Sequence, residues 1–193
     1  MEIRILDRDT ARKQSYTIDK SCIIISIQDV SESQNEFCKN NPNIKNVLYV
    51  AFGDIEEVHE GSHVLPMSIC DAIKIKCFVD NWKDKVELII VHCSAGISRS
   101  SAIGHFYNNF LNNTNIEELF KNPHYSPNMN CFKLMNEVYG IHICKDKIED
   151  LRNINDIASA EYFKNSKDPI IQRLNKQMVT TDNKCTFENI NFK

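Results

Sequence analysis

Apolar and polar positions along this chain fall into alternating blocks of two kinds. Short apolar runs rich in β-branched residues read as strands over Glu2–Leu6, Cys22–Ile27, Val47–Phe52 and Val86–Val91. In Leu88–Val91 the apolar residues are continuous rather than alternating, which marks a strand covered on both faces, as in a parallel sheet, and Cys22–Ile27 also reads as buried. Between them lie segments with apolar residues three and four apart. Ser68 is placed to cap a helix to Trp82, with Ile69, Ile73 and Cys77, and Ile75, Phe78, Val79 and Trp82, at helical spacing. Ser101–Leu111 reads as another helix. Thr114–Glu117 looks like a capping box opening a short helix to Lys121. Ser126-Pro127 reads as the cap and first residue of a helix that a glycine stops at Gly140. Glu32–Asn40 is expected as a helix closed by Asn41-Pro42, and Arg8–Ser15 as a polar turn. This order predicts an α/β fold: a central, mostly parallel sheet flanked by helices.

The candidate chemistry sits where Val86–Val91 meets the helix after it, in His92-Cys93-Ser94-Ala95-Gly96-Ile97-Ser98-Arg99-Ser100. Ligands of open α/β sheets bind at such strand-to-helix turns. The first N–H groups of a helix have no internal partners, and its dipole favours negative charge there. Cys93 directly follows the strand, and a cysteine at a helix N-terminus is biased toward its nucleophilic thiolate. Gly96 permits a positive φ or a close backbone approach. Arg99, six residues on, can fold back over the loop and offer a planar fork to two phosphate oxygens. Ser100 can hydrogen-bond the sulfur, and His92 can brace the loop and help keep the sulfur ionised. The residues Ser94, Ala95, Gly96, Ile97, Ser98 and Arg99 form the expected phosphate-binding set.

The run His-Cys-x-x-Gly-x-x-Arg-Ser resembles the phosphate-binding loop of the protein tyrosine phosphatase superfamily, in its dual-specificity-like branch. A Tyr-x-Pro-Asn step at Tyr125–Asn128 is similar to one that such domains carry. The resemblance covers about residues 1–143. It implies a metal-independent phosphomonoester hydrolase, with no cofactor, that works through a phosphocysteine on Cys93. It also implies a general acid: an aspartate on a loop upstream of the cysteine. Asp54, leaving the end of the Val47–Phe52 strand, is the first choice. Glu56, Glu57 and His59 compete within the same loop, and Asp71 is set aside because it falls in a helix. The variable loop positions carry no lysine, whereas relatives acting on lipid and inositol phosphates often place basic residues there. A phosphorylated protein or another phosphomonoester is therefore the expected substrate. The alternative is a catalytically weak relative that binds phosphate or phosphopeptides.

Residues 144–193 lie beyond the resemblance. Asp146–Lys164 is expected as a helix with Ile148, Leu151, Ile154 and Ile157 on one stripe, and Ile170–Met178 as a second. Thr180–Lys193 is polar and expected to be loose. A helical extension packed on the domain is the simplest reading.

Composition narrows the partners. The chain has 193 residues and a formal net charge of −3, so no basic field points to nucleic acid or to an anionic membrane. No run approaches the ~18 apolar residues of a membrane span, and the N-terminal residues do not read as a signal peptide. The eight cysteines are scattered, without metal-ligand spacing. They are expected to be reduced and mostly buried, in a cytoplasmic protein.

Overall fold

The computed structural model describes residues 1–58, 60–61, 63–169 and 171–172. Four parallel strands form one sheet: β1 (Glu2–Asp7), β2 (Cys22–Gln28), β3 (Ile44–Ala51) and β4 (Leu88–Cys93). Their order is β1-β4-β2-β3. The expected α/β architecture is present, with an all-parallel sheet among the described residues.

β2 and β4 occupy the two central positions, and every residue of both is buried. Their continuous apolar character follows from this, because alternate side chains enter two different cores. On one face Ile23, Ile25, Ile27, Ile89 and Val91 pack against the helices α2 (Ile69–Trp82), α3 (Arg99–Asn112) and α5 (Met129–Val138). On the other face Ile24, Leu88 and Ile90 pack under Ala11, Ile18 and Phe37.

Local signals explain most element ends. Ser68 caps α2 in a reciprocal box with Asp71. The short helix α4 spans Ile116–Phe120, but its cap is Asn115, whose Oδ1 accepts from Glu117 N at 2.9 Å. α5 begins at Met129 rather than at Pro127, because the Asn128 side chain accepts from Cys131 N at 3.0 Å. The helix α6 (Lys145–Asn165) matches the expectation within a residue at each end and buries Leu151.

Three expectations are corrected. Arg8–Gln14 is a helix, α1, and not a turn: Asp7 Oδ1 accepts from Thr10 N at 2.8 Å and Ala11 is wholly buried. Residues 32–40 form no helix. They run as an irregular cover over the second core, where Phe37 buries itself. Their backbone groups are taken by side chains from elsewhere: Cys38 N donates to Ser15 Oγ at 2.9 Å, and Tyr49 Oη donates to Asn35 O at 2.9 Å. The cysteines are less buried than expected: Cys70, Cys77 and Cys144 are exposed, and the described cysteines are all free thiols. The expected helix over Ile170–Met178, apart from Ile171 and Gln172, lies outside the described residues, as do Thr180–Lys193 and Cys185. Among the described residues no helix is long and apolar enough to cross a membrane.

Two buried histidines tie stability to pH. His105 of α3 lies between the rings of Phe120 and Tyr125, and neither of its ring nitrogens has a hydrogen-bond partner among the described residues. Burial pushes His105 down to about 4, and it does the same to His92. Both are therefore neutral in the folded protein above that value, while in the unfolded chain they take up protons near pH 6.5. The unfolded state binds more protons between those limits, so stability falls as pH drops through that window. Each histidine is expected to remove about 2 kcal/mol between pH 7.5 and pH 5. Urea midpoints at the two pH values measure this, and His105→Gln should roughly halve the loss.

Candidate active site

All four strands run the same way, so their carboxyl ends share one edge of the sheet. Cys93 ends β4 there, in register with Asp7 of β1. Asp29 follows β2, and Phe52, Gly53 and Asp54 follow β3. The loop of residues 94–98 rises from this edge and leads into α3, which starts at Arg99.

Cys93 is 2% exposed, and its Sγ lies 3.2 Å from Ser100 Oγ. Among the described residues, the backbone N–H groups of Ser94, Ala95, Gly96, Ile97 and Ser98 make no hydrogen bond. Unpaired donors in a loop at a helix N-terminus suit an anion. Gly96 makes the loop possible. It has φ 74°, and a Cβ there would stand 2.5 Å from Asp7 N and 2.7 Å from Leu6 C, both backbone atoms. Gly96→Ala thus meets backbone strain and a clash together. It is expected to cost about 2 kcal/mol or more in urea unfolding and to abolish phosphate binding by calorimetry.

Arg99 is 3% exposed and firmly held. Its Nη1 donates to Asp29 Oδ1 and to Phe52 O, each at 2.8 Å. Its Nε is buried, makes no hydrogen bond among the described residues, and lies 3.8 Å from Asp54 Oδ2. The guanidinium is oriented by the ends of β2 and β3 while one donor stays unpaired. Ser94 Oγ accepts from Arg8 Nη2 at 3.0 Å and donates to Asp29 Oδ2 at 3.4 Å. Arg8 also pairs with Glu32.

His92 is fully buried. Its Nε2 lies 2.9 Å from Ser26 Oγ on β2, its Nδ1 lies 3.4 Å from Cys93 O, and its ring meets Phe37 edge-on. Because burial keeps it neutral near pH 7, it braces the strand end but brings no positive charge to the sulfur.

Asp54 lies at the rim of the loop. Its Oδ1 accepts from Ser98 Oγ at 2.7 Å and from Asn128 Nδ2 at 3.0 Å. The rival acids stand differently. Glu56 accepts from Met129 N at 2.9 Å and pairs with Arg152 at 2.6 Å. Glu57 is exposed, and His59 lies outside the described residues. Asp71 is occupied in the cap of α2.

Sequence reasoning singled out the loop and Asp54 but missed Arg8, Asp29, Asn128 and Arg152 as neighbours of the site. Asp29 had a usable signal, since it directly follows a buried strand at the ligand-binding edge. Arg152 had none, because only the folded chain brings α6 to Glu56.

No family model matches the sequence, and no curated protein matches it. Several solved structures are similar. The human tyrosine phosphatase-like serine/threonine/tyrosine-interacting protein is 18% identical, with 80% of this chain and 91% of that one covered and a TM-score of 0.43. Human DUSP28 is 10% identical, with 82% and 94% covered and a TM-score of 0.43. The Cydia pomonella PTP-2 phosphatase is 14% identical, with 79% and 85% covered and a TM-score of 0.40. In fold, this chain is similar to solved tyrosine and dual-specificity phosphatases.

Proposed function

We propose that this protein is a metal-independent phosphomonoester hydrolase of the dual-specificity type, acting through a phosphocysteine on Cys93. The observation that carries the reading is the buried Cys93 thiol beside Ser100, in a loop of unpaired N–H donors backed by the oriented Arg99. A substrate phosphate accepts from those N–H groups and from Arg99. The Cys93 thiolate attacks phosphorus in line with the ester oxygen. The P–O bond breaks as Asp54 gives its proton to the leaving oxygen. Water then attacks the phosphocysteine, losing a proton to Asp54, and the S–P bond breaks. Ser100 donates a hydrogen bond to the departing sulfur. The loop donors stabilise charge on the equatorial oxygens throughout, which is the main source of rate in phosphoryl transfer. A phosphorylated protein or other monoester is the substrate class.

Mass spectrometry after an acid quench of steady-state turnover tests the intermediate. A phosphoryl group on the peptide bearing Cys93 is expected. Sustained turnover with label on another residue, or on none, overturns the assignment.

A further inference from the structure

The helix α6 belongs to the part of the chain that no sequence motif connects to catalysis, yet it grips the site on two sides. On one side, Arg152 Nη2 lies 2.6 Å from Glu56 Oε2, in the loop that carries Asp54. The other oxygen of Glu56 accepts from Met129 N at 2.9 Å, so the carboxylate bridges α6 and the start of α5. On the other side, Asn155 is 5% exposed and donates to the carbonyls of Phe120 at 2.9 Å and Tyr125 at 3.0 Å. The segment held this way leads to Ser126 and Asn128, whose backbone N–H groups donate to Ile97 O at 3.1 Å and Ser98 O at 3.3 Å of the cysteine loop. The Asn128 side chain then reaches Asp54 itself. Asp54 is therefore bounded by two segments, and α6 holds both.

We infer that α6 sets the position of Asp54 and that Arg152 is a positioning residue acting through Glu56. This rests on Asp54 being the general acid. The side chains of Arg152 and Glu56 are 41% and 34% exposed, and such pairs contribute little to global stability. The effect is local. The acid loop is closed at its base by Gly53 N donating to Leu65 O at 2.8 Å, and Glu56 stands between those ends in the chain. Without the tether the loop spends more time away from the leaving oxygen, and turnover falls with the fraction correctly placed.

The test compares full-length wild type with Arg152→Ala and Arg152→Lys on two esters. Phenyl phosphate has a poor leaving group and needs the acid. Dinitrophenyl phosphate has a good one and needs it little in that step, whereas hydrolysis of the phosphocysteine, common to both esters, uses Asp54 as base. In Arg152→Ala, kcat/KM on phenyl phosphate, which reports the step that expels the ester oxygen, is expected to fall about fivefold, equivalent to about 1 kcal/mol. On dinitrophenyl phosphate kcat/KM should stay within about twofold. Arg152→Lys should recover most of the loss. An equal fall on both esters, or none, overturns the inference. A second readout needs no turnover: amide exchange over residues 54–58 should quicken in Arg152→Ala at an unchanged melting temperature. Unchanged exchange also overturns it. If wild type hydrolyses neither ester, the proposed function fails by itself, and exchange still decides whether α6 holds the loop.

Discussion

Reduced wild-type protein is expected to hydrolyse p-nitrophenyl phosphate in the presence of EDTA, and Cys93→Ser to lower that rate to the buffer background. A serine hydroxyl is not ionised at neutral pH, and no described base stands beside Cys93 to activate one; its neighbour is the hydroxyl of Ser100. The phosphate site itself should survive the exchange. The loop N–H groups and Arg99 do not depend on the sulfur: Arg99 is held by Asp29 and Phe52. Cys93→Ser should therefore still bind a phosphopeptide by calorimetry while failing to turn it over. Iodoacetate adds a second check. As an anion it should alkylate Cys93 faster than iodoacetamide does, and inorganic phosphate should protect. Turnover that survives in Cys93→Ser would remove the nucleophile from the scheme. Phosphopeptide binding by a wild type that never turns over would instead favour a binding module.

The second large effect is expected from Asp54→Asn, a fall in kcat of about 10²–10⁴, the scale of acid–base catalysis. The substitution keeps the side-chain oxygen that accepts from Ser98, so geometry is disturbed little and proton transfer is what is lost. In kcat/KM, which stops at departure of the ester oxygen, the loss should be greatest on phenyl phosphate and least on dinitrophenyl phosphate. Wild-type-like kinetics would move the role to a neighbour. Glu57→Gln is the informative next variant, because Glu57 is exposed whereas Glu56 is committed to Met129 and Arg152.

How much of this was legible in the sequence depended on the range of the interaction. β2 and β4 were readable because burial on both faces demands continuous apolar residues, a property of the strand itself. α2 and α6 were readable from helical spacing. The short helix α1 was not, since its single buried residue, Ala11, makes no stripe; only its cap at Asp7 betrays it. Residues 32–40 misled in the opposite sense, because their backbone is satisfied by Ser15 and Tyr49, distant side chains that local propensity ignores. The candidate site divides in the same way. The placement of Cys93, Gly96, Arg99 and Ser100 is written into one contiguous run. The partners that aim Arg99, and the helix that reaches Glu56, come from β2, β3 and α6, and only the assembled sheet edge brings them together.

The strand order also bears on how the protein comes to be folded. Among the described residues β1 has one neighbour in the sheet, β4, and Glu2 pairs with Leu88 across everything between them. A chain emerging from a ribosome holds β1 without a partner until β4 has been made, and such distant pairings form slowly. The end of β1 is also what the Gly96 turn packs against. Refolded protein should therefore regain β2–β3 protection before it regains phosphate binding, and activity should return only when β1 docks.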